Sequence, residues 1–107
     1  MKHLIWWVPD VPSVGMSVSE FSGYIADEAA SMSSTELARI FDVIEQLVAN
    51  GSTDVATAAT TQFLENLQNI ASNGGLDFSI VVPYLGTESR AYCIAWDKFC
   101  GAKSPGL

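Results

Sequence analysis

Apolar positions along this chain recur mainly at helical spacing, and polar or glycine-bearing breaks divide the periodic stretches into successive helices. The clearest stretch covers about residues 35–49, where Leu37, Ile40, Phe41, Ile44, Leu47 and Val48 share one arc and Arg39, Asp42 and Gln46 the opposite one. Ser33 followed by Glu36 has the spacing of a capping box, in which each residue's side chain satisfies the other's backbone amide. Asn50-Gly51 predicts a left-handed stop. The same box, Ser17 with Glu20, predicts an earlier helix over about residues 18–30 that turns Phe21, Tyr24 and Ile25 inward. A third helix is expected over about residues 54–72, capped by Ser52 or Thr53 and stopped at Asn73-Gly74-Gly75. Its core stripe would be Ala56, Ala59, Phe63, Leu67, Ile70 and Ala71, with Asp54, Glu65 and Asn69 on the far side.

Residues 77–85 are less decided. Pro83 cannot sit in an ordinary helix interior, so one short helix or turn that it interrupts is expected, with a lone buried strand as the alternative. A last helix follows over about residues 88–100. Thr87 is its expected cap, Glu88 and Lys98 complement its dipole, and Gly101 ends it. Tyr92, Trp96 and Phe99 read as its bulky core stripe. Residues 1–16 read as an extended arm or short strand whose Trp6 and Trp7 lie across the helical body, as core pins or as partner-facing anchors. The expected architecture is all-α: a compact bundle of four to five helices in one domain over residues 1–107. The helical body spans 17–101, preceded by the N-terminal arm and followed by a loose tail over 102–107.

Composition narrows the function more than the fold. Apolar residues make up 49% and charged residues 16%, which excludes a disordered chain. The net charge of −7 repels nucleic-acid phosphates and anionic membranes, so the expectation is no nucleic acid and no membrane partner. The apolar run Leu4 to Val8 is too short for an export signal and is broken by Pro9, and no stretch approaches the roughly 20 residues of a membrane span. A cytoplasmic location follows as the expectation. Cys93 and Cys100, seven apart on one helix, would lie about 10 Å from each other, too far for a disulfide. Two reduced, partly buried thiols are expected, as in a reducing compartment.

No residue set for self-sufficient catalysis stands out. His3 is the single histidine, so neither a two-histidine metal site nor a Ser-His-Asp arrangement is available, and no phosphate-binding glycine motif occurs. No cofactor and no metal are expected. Asp42 and Glu45, one turn apart, and the adjacent Asp27 and Glu28 are the nearest approach to a paired-acid site, but a solvated acidic helix face is the better account of them.

From Phe63 onward the chain reads FLENLQN and later VPYLGTESRAYCIAWDKFCG. Through Phe63, Leu64, Glu65, Leu67, Leu85, Gly86, Ser89, Tyr92, Cys93, Ala95, Trp96, Asp97, Phe99 and Gly101 it resembles a family of small bacterial immunity proteins, over about residues 35–103. These serve toxin–immunity systems, including contact-dependent growth inhibition. The resemblance implies an acidic protein that binds a cognate toxin domain, often a basic RNase, and neutralises it inside the producing cell. It supplies no contact residue. Charge placement alone nominates Asp27, Glu28, Asp42, Glu45, Asp54 and Glu65 as toxin-binding candidates on a monomer. A small helical adaptor or regulatory subunit of another complex, and an enzyme with an unrecognised carboxylate site, stay open beside it.

Overall fold

The computed structural model describes residues 17–107, and among them every regular element is helical. The α-helices are α1 (Val18–Glu28), α2 (Ser34–Asn50), α3 (Thr53–Thr57), α4 (Glu65–Ser72) and α5 (Thr87–Cys100). A π-helical segment, Ala58–Leu64, joins α3 to α4 in one uninterrupted rod. The reading of residues 1–16, Trp6 and Trp7 included, lies outside the described residues.

Both capping boxes form. The Glu20 amide donates to Ser17 Oγ at 3.1 Å while the Ser17 amide donates to Glu20 Oε1 at 3.0 Å. Ser33 and Glu36 repeat the pair at the start of α2. Each cap stabilises its helix by about 1 kcal/mol. The start of α1 is tied to the rod by Asn66, whose side-chain amide donates to the Ser22 hydroxyl and to the Ser19 carbonyl. The first helix ends two residues earlier than expected, passing into a 3₁₀ turn at Ala29–Ser31.

The core forms where α1, α2 and the rod converge on Phe63, whose ring meets Phe21 at 5.7 Å and Phe41 at 5.8 Å between centroids. Ile25, Leu64, Leu67, Phe78, Val81 and Cys93 complete it, each fully buried. Along the rod the buried residues come in pairs: Ala58 and Ala59, Phe63 and Leu64, Leu67 and Gln68. The first step is five residues and the second is four. The Glu65 amide accordingly reaches back five positions to the Thr60 carbonyl, the hydrogen bond of a π turn. Extrapolating a constant helical period back from Phe63 puts Ala56 in the stripe; the π turn rephases the rod, so Ala58 is buried and Ala56 only half-buried. Ile70 and Ala71 sit at the core's margin.

Gly51 has φ −73° and ψ 162°, so the expected left-handed stop of α2 does not form. Its glycine is required by a close approach instead. A Cβ there would lie 2.5 Å from the Leu47 carbonyl oxygen and 2.8 Å from Val55 Cγ1. Gly51→Ala should therefore lower stability by about 1–2 kcal/mol, because backbone must shift; urea denaturation would measure it, and a neutral result would mean the turn is softer than its contacts imply. The rod ends as anticipated, at Gly74 with φ +85°. Residues 77–85 form two 3₁₀ turns, Phe78–Ile80 and Val82–Tyr84, with Pro83 opening the second.

The final helix departs most from its sequence pattern. Its buried line is Ser89, Cys93 and Asp97, spaced by four, whereas Phe99 is 81% exposed and Trp96 half-buried. The tail is held rather than loose: Ser104 is buried, and Leu107 packs against the core.

Candidate functional site

Most carboxylates of the described residues serve the fold, and two of the predicted contact residues are among them. Glu45 points across to the N-terminus of α5. There Oε2 accepts from the Glu88 amide at 2.9 Å, and Oε1 accepts from the Ser89 amide at 2.9 Å and the Ser89 hydroxyl at 2.8 Å. Gly86, at the N-cap position, and Thr87 bring no side-chain cap of their own, so Glu45 supplies it from α2. Burial of the carboxyl opposes its charge, but these three hydrogen bonds together outweigh it and hold the pKa below the ordinary value of 4.5. Glu65 is the second case. Its Oε2 accepts the Tyr92 hydroxyl, and burial together with this neighbouring carboxylate pushes the Tyr92 phenol pKa up.

Asp97 is the most deeply placed acid, 8% exposed. Its carboxylate accepts from the Ser104 amide at 2.7 Å, the Ser104 hydroxyl at 2.9 Å and Gln68 Nε2 at 2.9 Å. The same Gln68 nitrogen faces the Cys93 carbonyl at 3.0 Å, so its three neighbouring oxygens fix the amide's orientation. Among the described residues Gln68 Oε1 is left buried without a hydrogen-bond partner. This cluster ties α4, α5 and the tail together. No local signal in the sequence announces it, because Gln68 and Asp97 are separated by 29 positions.

What remains is an exposed acidic set: Asp27 and Glu28 at the end of α1, Asp42 on α2, Asp54 in the first turn of α3, and Glu88 in the first turn of α5. Asp42 lines a shallow groove of about 350 Å³ with Ala38, Glu45, Pro83, Tyr84 and Gly86. Glu88 begins α5 beside it, so Asp42, Glu45 and Glu88 cluster where α2 meets α5. Asp27, Glu28 and Asp54 stand on other elements. Sequence reasoning missed Glu88 as a candidate because the helix dipole already accounted for it. Among the described residues no three His, Cys, Asp or Glu gather closely enough to hold a metal ion.

The two thiols are free and differently placed. Burial, with Asp97 adding to it and Arg90 opposing, pushes the Cys93 thiol up to about 12, while Cys100 is exposed. A disulfide reagent at neutral pH should modify Cys100 rapidly and Cys93 only on unfolding. Two fast thiols would contradict the packing around Cys93.

Fold and site together define a small all-helical domain whose acids divide between internal caps and an exposed set. The chain belongs to the family described as a domain of unknown function, DUF7674, whose model matches residues 1–101. No curated protein and no solved structure matches it. No helix among the described residues is long and apolar enough to cross a membrane.

Proposed function

We propose that this protein is a cytoplasmic immunity protein that binds a cognate bacterial toxin domain, a basic nuclease, and blocks its active site with acidic surface. The observation that carries the reading is the groove lined by Asp42 and Glu45, with exposed Glu88 following it in the first turn of α5. Carboxylates held there would occupy positions that RNA phosphates take on a basic enzyme, and the net charge of −7 would steer the encounter. On this reading the chain acts by occupancy, without cofactor or chemistry of its own. Glu45 no longer stands as a free contact residue, since both its oxygens cap α5, while Glu65 gives only one oxygen to Tyr92. The working set becomes Asp42 in the groove and Glu88 at the start of α5, with Asp27, Glu28 and Asp54 on other elements.

The test is a pull-down with the product of the gene immediately upstream, followed by salt titration of the complex. Tight binding that weakens as salt rises, and that falls about tenfold or more in Asp42→Lys, supports the reading. Failure to bind favours an adaptor role in another complex. Retained binding in an Asp42→Lys, Glu88→Lys double variant would move the interface elsewhere.

A further inference from the structure

Helix α5 buries its polar line and exposes its apolar one. Ser89, Cys93 and Asp97 face inward, while Ile94 at 36% and Phe99 at 81% are the large hydrophobic side chains left exposed among the described residues. The Phe99 ring does not stand alone: it stacks on Trp96 at 5.5 Å with 24° between the planes. Beside this pair a shallow groove of about 270 Å³ runs between α4 and α5, lined by Glu65, Tyr92, Ala95, Trp96 and Phe99. Aromatic rings and a methyl group make up nearly all of it, and Glu65 is its one charged side chain. Neither Lys98, on the same helix, nor any other basic residue lines it. One Glu65 oxygen takes the Tyr92 hydroxyl; the other has no hydrogen-bond partner among the described residues.

An aromatic wall with a carboxylate at its edge is complementary to a cation carried on an apolar stem. Planar guanidinium suits it better than ammonium, because it stacks flat on a ring and presents a fork of donors to the carboxylate. The groove is lined by five residues, against roughly 20–30 on each side of a standard protein interface, so it fits one anchoring side chain of a larger contact. We propose that it seats an arginine side chain of a basic protein partner, stacked on the Trp96–Phe99 pair and paired with Glu65. This rests on the reading above that the partner is basic, and it supplies an anchor that the acidic junction of α2 and α5 lacks.

The experiment follows the Trp96 indole and Phe99 ring by NMR in the full chain. N-acetyl-arginine methylamide is titrated against its neutral isostere, N-acetyl-citrulline methylamide. The arginine probe should shift both side chains and bind about fivefold tighter than citrulline. Glu65→Gln, which can still accept the Tyr92 hydroxyl, should abolish that preference, and Phe99→Ala should weaken both probes. Equal binding of the two probes, an arginine preference that survives Glu65→Gln, or shifts that leave Trp96 unmoved would each overturn the proposal. So would Trp96 shifts that depend on protein concentration before any probe is added, because a second copy would then be the occupant. No toxin enters this titration, so its failure is distinct from failure of the pull-down.

Discussion

Asp97→Ala should lower the free energy of unfolding by about 3 kcal/mol, because it strips a buried set of donors of their shared acceptor. The Ser104 amide, the Ser104 hydroxyl and Gln68 Nε2 all converge on that carboxylate. Gln68 Nε2 keeps the Cys93 carbonyl, but the Ser104 amide loses its acceptor, and among the described residues Gln68 Oε1 is already unpaired. The loss should have a spatial signature. Hydrogen exchange at the Ser104 amide should rise far more than at amides of α1, since the cluster is what fastens the tail. Asp97→Asn keeps the shape but sets an NH₂ among donors, and an intermediate loss is expected. A stability change under 1 kcal/mol for the alanine variant would mean that water replaces the carboxylate and the cluster is less dry than its burial indicates.

Glu45→Ala should cost about 2 kcal/mol, above an ordinary cap, because the lost acceptor is charged and serves three donors. Gly86→Ala should approach the same cost by another route. A Cβ at that position would lie 2.4 Å from Glu45 Cδ, so the carboxylate must leave its seat. The two losses therefore should not add: in a Glu45→Ala background, Gly86→Ala should be nearly neutral. Independent, additive effects in that cycle would separate Gly86 from the cap. The pH dependence has a definite sign. The folded pKa of Glu45 lies below the unfolded value, so its stabilisation is complete above about pH 4.5 and is lost as pH falls through the depressed value. Acid titration of stability should be shallower in Glu45→Gln than in the parent.

Local chemistry was legible in the sequence and distant chemistry was not. The boxes at Ser17 and Ser33 join residues three apart, and both form as their spacing predicts. Glu45 lies more than forty positions from the amides it caps, so helical periodicity could only place it near the edge of a solvated face. Glu65 fell to the far side of its helix for the same reason, its partner Tyr92 being 27 positions away. Phe99 shows the opposite error. Size and period grouped it with Tyr92 and Trp96 as core, yet small Ser89 and Cys93 let α5 approach closely, and satisfied hydrogen bonds let Asp97 go inside. The acidic candidates were thus rightly counted as acids but wrongly treated as equivalent. Only position in three dimensions separates those that fasten the fold from those that face solvent.

The π turn between α3 and α4 absorbs one residue more than a regular helix would hold in phase. Removing one residue from its exposed side, Thr61 or Gln62, would leave a sequence able to wind as a regular α-helix with better local hydrogen bonds. Ala58 and Ala59 would then stand four positions from Phe63 and Leu64, a spacing that a regular helix keeps on one face, so both pairs would stay inward. Alanine at the same two positions changes no count and should be tolerated. A single-residue deletion should therefore be tolerated here, whereas one inside the regular helix α2 would turn its buried face by about 100°.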